Sequence, residues 1–283
     1  MSQSSAQEAL SSVRIVLVAP AGPLNVGSVA RVMKNFGLSQ LVLVDSQCDP
    51  LSEAAMQMAV HAKDVLHAAR RVSSVPEALQ GCQRAIATTA RQRGFNAPLE
   101  LPEVVLPALL SIALADTALL FGPEDRGLSN EELTYAQQFI KVPTDEGYSA
   151  LNLAQAVAIC CYELHRASRS SYLEQPRLSP NTLTSEQNSL KALRSSPLSA
   201  KQTDKQMESA ALDELEGYYQ HLEQLLLKVE YLYPHTAHSR MRKFRQLLHR
   251  AEPNANEVAL LRGVLRQIEW ALSEPPSSRS SDS

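Results

Sequence analysis

Five short runs most constrain the fold: VRIVLV at 13–18, LVLVD at 41–45, RAIATTA at 84–90, TALLFG at 117–122 and QFIKVP at 138–143. Each is a nearly continuous apolar stretch, and segments with helical spacing separate them. Continuous apolar strands are buried on both faces, and alternation with helices is the pattern of a parallel sheet covered by helices. Val26, Val29, Ala30, Met33 and Phe36 recur at helical spacing, which predicts a helix from about Asn25 to Phe36, closed by Gly37. Residues 52–60, 76–81 and 103–113 also read as helical, and LNLAQAVAICCYELHRA at 151–167 predicts a long helix. In such a sheet, ligands bind at the carboxyl ends of the strands. The polar loops at 20–31, 88–96, 121–130 and 143–152 are expected there.

Beyond this domain of residues 13–167 the composition changes. Residues 168–203 are rich in Ser, Pro, Gln, Asn and Thr without periodicity and predict a flexible linker. Residues 204–271 predict a small helical module: a long amphipathic helix, a second at about 237–250, and a third capped by Asn254 or Asn256 that reaches Trp270. Residues 1–12 and 272–283 are expected to be a flexible and a disordered tail.

The 283 residues carry a net charge of -3, which neither requires nor excludes a nucleic-acid partner, since local distribution matters more than the sum. Cys48, Cys82, Cys160 and Cys161 form no CxxC pair, and the histidines lack zinc spacing, so a reducing compartment and no metal are expected. The first residues lack the basic and apolar regions of a secretory signal. VVLPALLSIALA is too short to span a bilayer and contains a proline. A soluble, cytoplasmic protein is the expectation.

Three segments carry chemistry. In PAGPLNVGSVAR at 20–31, the glycines Gly22 and Gly27 do not make a GxGxxG fingerprint, although Asp45 could serve as a ribose-binding acid, so a nicotinamide-dependent dehydrogenase is a weak rival. The plain reading makes Asn25 a helix cap, Arg31 a solvated helix residue and Gly27 a tight packing point. LFGPEDRGLSNEEL at 120–133 breaks a strand at Gly122 and Pro123, crowds Glu124, Asp125 and Arg126 before Gly127, and offers Ser129 or Asn130 as a cap. It is either a polar turn or a loop whose backbone faces a cofactor. VPTDEGYSALNLAQAV at 142–157 puts Asn152 near a helix start, as a cap or as a lock between two loops.

NVGSVAR, FGPEDRGLSNEEL and SALNLAQAVAI, in this order, resemble the three signature motifs of the SpoU-type RNA ribose 2'-O-methyltransferases of the SPOUT superfamily. EGYYQHLEQLLLKVEYLYP, RKFRQLLHRA and EVALLRGVLRQIEW resemble the extension of the subgroup that methylates tRNA cytidine or uridine 32 in the anticodon loop. The resemblance implies an α/β fold with a C-terminal trefoil knot, a homodimer, S-adenosylmethionine as cofactor and tRNA as partner. Composition and periodicity show no knot, and true knots are rare. By motif position the resemblance makes Asn25, Arg31, Glu124 and Asn152 catalytic. It brings Thr89, Ala90 and Arg91, from TTARQRG at 88–94, to the cofactor. Leu120, Phe121, Gly122, Glu124, Gly127, Ile140, Leu151 and Asn152 complete that expected set. One departure stands out: relatives often carry Ser where this chain has Ala150, and the neighbouring Ser149 points elsewhere.

For RNA, HTAHSRMRKFRQLLHR at 235–250 holds five basic residues and no acid. Arg240, Arg242, Lys243, Arg245 and Arg250 are candidates for phosphate contacts, with Arg31, Arg91 and Arg93 near the cofactor loop; a solvated helix face is the ordinary alternative. Arg14 could extend this surface, and Phe95 could stack on a base or pack in the core. A tRNA-binding protein that has lost catalysis and a ribosomal RNA methyltransferase are the alternatives to the tRNA enzyme.

Overall fold

The computed structural model describes residues 9–90, 98–110, 116–145, 147–148, 150–173 and 209–273. Its sheet-forming elements follow in chain order: β1 (Val13–Val18), α1 (Pro23–Asn35), β2 (Gln40–Val44), α2 (Glu53–Ala59), α3 (Lys63–His67), β3 (Arg70–Val72), α4 (Val75–Ala78), β4 (Arg84–Thr88), β5 (Leu99–Glu100), α5 (Pro102–Leu109), β6 (Thr117–Phe121), α6 (Asn130–Leu133), β7 (Gln138–Ile140) and α7 (Leu153–Leu173). The remaining helices are α8 (Leu212–Lys228), α9 (Pro234–Ala251) and α10 (Ala255–Ser273).

The seven strands form one sheet in the order β3-β2-β1-β6-β4-β7-β5. Every pairing is parallel. The five expected strands are present, and β1 and β6 are buried along their whole length, as continuous apolar runs require. The short edge strands β3 and β5, and helix α3, gave no apolar signal. Arg14 sits in mid-strand yet is only 7% exposed. Its guanidinium donates to the carbonyls of Ala78 at 2.6 Å and Gln80 at 3.0 Å, with Asp116 3.9 Å away. It holds the sheet to the loop after α4 and is not part of an RNA surface, which corrects that expectation.

One sheet face carries a core built with α1, α2, α3, α5 and α7. Gly27 is the tight packing point there, between helices: a Cβ would stand 2.3 Å from the carbonyl oxygen of Ala55. The other face is covered by α4, α6 and the C-terminal helices, in a second continuous core. The helical module therefore completes the sheet. Leu212 donates its amide to Cys82 O at 2.8 Å, and the Gly81 amide reaches Asp213 at 3.3 Å.

Two expected boundaries move. Ala9 and Leu10 are buried in the first core, so the tail expected over 1–12 does not include them. Helix α7 runs to Leu173, into the expected linker, with Ser168 buried. Ser11 and Ser12 are likewise described, whereas residues 1–8, 174–203 and 274–283 of the expected tails and linker lie outside the described residues. No helix among the described residues is long and apolar enough to cross a membrane.

Candidate active site

The loops after β1, β4, β6 and β7 gather at the carboxyl end of the sheet, beside a cavity of about 440 Å³. Three of them are tied by side chains far apart in sequence. Asn25 donates from Nδ2 to Glu124 Oε1 at 2.7 Å, and its Oδ1 accepts from Asn152 Nδ2 at 2.9 Å. The two Glu124 oxygens also accept the amides of Ala21 and Gly22, each at 3.2 Å.

This geometry corrects the simple cap reading of Asn25. Helix α1 starts two residues earlier than expected, with Gly22 at the N-cap, Pro23 in the first turn and no side-chain cap. Asn25 therefore lies inside the first turn, where its amide is free to bridge loops. Glu124 supplies the negative charge at this helix start, where exposed amides favour it. Partial burial pushes the Glu124 carboxyl up, but the Asn25 and backbone hydrogen bonds together outweigh it and hold its pKa below the ordinary value. Asn152 keeps a capping function as well, because its Oδ1 accepts the Ala154 amide at 2.9 Å.

The loop after β6, Gly122 to Leu128, supplies much of the cavity wall. Gly122 packs its Cα on the next turn of the same loop: a Cβ would lie 2.2 Å from Gly127 C and Leu128 N. Gly127 has φ +66°, and a Cβ there would point into open space, so the glycine keeps the wall low. Arg126, which also lines the cavity, braces the loop by pairing with both Glu132 oxygens at 3.0 Å. Glu132 and Ser129 form the capping box of α6. Across the cavity, Thr88 donates to Leu120 O and the Thr89 amide to Ile140 O, each at 3.0 Å.

Of the expected cofactor residues, Thr89, Ala90, Phe121, Gly122, Glu124, Gly127 and Leu151 line the cavity. Leu120 and Ile140 are fully buried behind it and spend their carbonyls on the threonine contacts just described, so they shape the wall from the second row. Asn152 stands beside the cavity in the Asn25 network. Arg91, Arg93, Phe95 and Ser149 lie outside the described residues. Sequence reading missed Thr88, Leu128, Val142, Leu153 and Ala156 as lining residues, and placed Pro123, Asp125 and Arg126 in the loop without assigning them to the cofactor. Leu153 and Ala156, three apart on one face of α7, were legible as an apolar first turn. Ala150, noted as a departure, lines the cavity too. Asp45 closes β2 outside it, which removes the ribose-acid reading.

Arg31 is exposed on α1 and does not line the cavity. Six residues separate it from Asn25, about 600° around the helix and roughly 9 Å along it, so the two side chains leave α1 on different sides. Among the RNA candidates, Arg240, Lys243 and Arg250 are exposed and Arg242 is half-buried. Arg245 is corrected: it pairs with both Glu216 oxygens at 2.6 and 2.9 Å and sits 4.4 Å from the Tyr219 ring centroid, so its charge is spent inside the helical module. No group of three metal-binding side chains occurs among the described residues.

The size and character of the cavity fit a cofactor such as S-adenosylmethionine. Its volume is in the small-ligand range, its wall combines apolar side chains with the polar Thr88, Thr89, Glu124, Asp125 and Arg126, and Gly127 leaves open the space a side chain would fill.

Residues 12–162 match the SpoU rRNA Methylase family, and residues 213–277 match the C-terminal domain of tRNA methyltransferase TrmJ. The tRNA (cytidine/uridine/adenosine-2'-O-)-methyltransferase TrmJ of Pseudomonas aeruginosa (strain UCBPP-PA14) is 35% identical over 275 residues, covering 96% of this chain and 100% of that one. The tRNA (cytidine/uridine-2'-O-)-methyltransferase TrmJ of Pectobacterium atrosepticum is 37% identical over 262 residues, covering 92% and 98%. The crystal structure of TrmJ from Z. mobilis ZM4 superposes with a TM-score of 0.73 at 32% identity, over 90% of this chain and 98% of that one.

Proposed function

The chain belongs to the SpoU methylase family, and from that premise we propose that it transfers a methyl group from S-adenosylmethionine to the ribose 2'-OH of tRNA, at cytidine or uridine 32 of the anticodon loop. The observation that carries this reading is the Asn25–Glu124–Asn152 network, which joins the three motif segments beside a cavity of cofactor size. The reading includes the family's trefoil knot and homodimer. In support of the knot, β7 lies between β4 and β5, and the chain after it turns back to bring Asn152 to Asn25. In support of the dimer, Arg31 points away from its own chain's network, so a second protomer is a route by which that guanidinium meets a cavity.

When bound, S-adenosylmethionine supplies an electrophilic methyl group on its sulfonium. Methyl transfer needs an in-line approach, so the protein's share is mainly orientation. The loop of Phe121 to Leu128, with Thr89, Ala90 and Leu151, would hold the cofactor. The Asn25 network keeps the three loops in one arrangement. A guanidinium offers donors and no acceptor, so Arg31 is not assigned the 2'-OH proton. It grips the neighbouring phosphate and stabilises charge growing on the 2'-oxygen, while a phosphate oxygen or water receives the proton.

The test is a map of ribose methylation in tRNA from cells with and without this gene. Loss confined to nucleotide 32 is expected; unchanged methylation at nucleotide 32 contradicts the assignment. The second reading, a tRNA-binding protein without turnover, draws on Ala150 in the cavity wall. Purified protein that binds S-adenosylmethionine and tRNA but transfers no methyl group would favour it.

A further inference from the structure

Helix α9 has an unusual charge distribution. The chain from Tyr231 to Ala251 contains no Asp or Glu, and Glu230 and Glu252 bracket it. Ala237 and Met241 are buried against α8, with Phe244 and Leu248 half-buried beside them. The helical repeat puts His235, Ser239, Arg242, Lys243, Gln246 and Arg250 on the opposite side. That side is a stripe of positive charge and hydrogen-bond donors.

At the head of the stripe stand aromatic rings that the core does not use. Tyr231 is 54% exposed and Tyr233 51%. The Tyr233 and His235 rings are nearly parallel, 21° apart in plane and 6.0 Å between centroids. Arg240 anchors the neighbouring ring, donating to Tyr231 O at 3.1 Å with its guanidinium 5.6 Å from the Tyr231 centroid. The turn is held in place by the Tyr233 carbonyl, which accepts the Thr236 and Ala237 amides, each at 2.8 Å. The rings are therefore displayed on a fixed backbone.

We propose that the Tyr233 and His235 rings, flanked by Tyr231 and Arg240, form a stacking site for an unpaired nucleobase of the tRNA, at the head of a stripe that follows the phosphate backbone. This rests on the tRNA reading above and goes beyond it by assigning a base contact outside the methyl-transfer site. Exposed aromatic faces beside Arg and Lys are what a splayed-out base requires: a π-face to stack on and cations for the adjoining phosphates. A protein partner fits less well, because covering these rings would desolvate His235, His238 and Arg240 with no acid in the helix to compensate.

The test measures binding of the full chain to a tRNA transcript by anisotropy at several salt concentrations. Removing a neutral ring takes away stacking and no charge. Tyr233→Ala is therefore expected to raise Kd about tenfold with the salt slope unchanged. Tyr233→Phe keeps the ring and is expected to bind within about twofold of wild type, whereas Tyr233→Leu, apolar but without a π-face, is expected to bind like Tyr233→Ala. Lys243→Ala should instead lower the salt slope by about one. S-adenosylmethionine affinity, unchanged in every variant, reports that the sheet domain remains folded. Tyr233→Leu binding as tightly as wild type, or Tyr233→Ala lowering the salt slope as Lys243→Ala does, overturns the stacking site. A wild type that methylates tRNA while a Tyr231→Ala/Tyr233→Ala/His235→Ala chain keeps wild-type affinity overturns this inference alone. A wild type that binds no tRNA overturns the functional reading together with it.

Discussion

Asn25 connects two motifs with one amide, donating to Glu124 and accepting from Asn152. An amide is the group that can do both; a carboxylate there would repel Glu124, and a hydroxyl would not span the gap. Sequence physics alone gave a helix cap, because the partners lie 99 and 127 residues away. Only the family resemblance marked the position as functional. Glu124→Gln should leave the fold intact but weaken the charge-assisted contacts, lowering S-adenosylmethionine affinity by about 1.5–3 kcal/mol in a titration. Unchanged affinity would separate the network from cofactor binding. The pH dependence has a definite sign. Glu124 has a depressed folded-state pKa, so its stabilisation is complete above the ordinary carboxylate range and is lost as pH falls through the lowered value. Arg31 makes a different prediction. Arg31→Ala and Arg31→Lys should both bind S-adenosylmethionine normally, because the guanidinium is assigned to the RNA phosphate and not to the cofactor, yet transfer the methyl group poorly. Lysine offers a point charge where a planar, two-pronged grip on phosphate is needed. Full turnover by Arg31→Lys would refute the grip.

Helix α9 joins the module to the sheet domain through buried polar groups. Arg245, ion-paired with Glu216, lies between the rings of Tyr219 and Tyr135, at 4.4 and 5.2 Å. His249 sits next to it, hydrogen-bonded to the backbone of Ala136. Burial first, and the Arg245 charge second, push the His249 imidazole down to about 4 from 6.5. The folded protein keeps this ring neutral while the unfolded chain protonates it, so the stability it allows is full above pH 6.5 and falls toward pH 4. The expected loss across that window is on the order of 3 kcal/mol, read from urea midpoints. A His249→Gln protein with the same pH profile as wild type would contradict this account. The sequence showed α9 as a basic amphipathic helix, and Arg240, Lys243 and Arg250 are exposed on it. That Arg245 turns inward was not legible, because its partners come from α8 and from the loop before β7. Short polar strands escaped for a related reason: RRV in β3 is mostly exposed and reads as loop.

Across the whole molecule, five apolar runs were enough to foretell a parallel sheet with its chemistry at the carboxyl edge. They did not foretell that the C-terminal helices cover one sheet face, since their apolar stripes specify burial but not against what. Strand order was equally hidden, as β7 inserts between β4 and β5 by a tertiary choice that local pattern does not encode. The central claim is that loops from across this chain assemble one site that methylates a single ribose. Its most direct test incubates the purified protein with labelled S-adenosylmethionine and either a tRNA transcript or the same tRNA with a 2'-deoxyribose at nucleotide 32. The account predicts label on the first and none on the second. Equal labelling of both, or no labelling of either by protein that binds cofactor and tRNA, would contradict it.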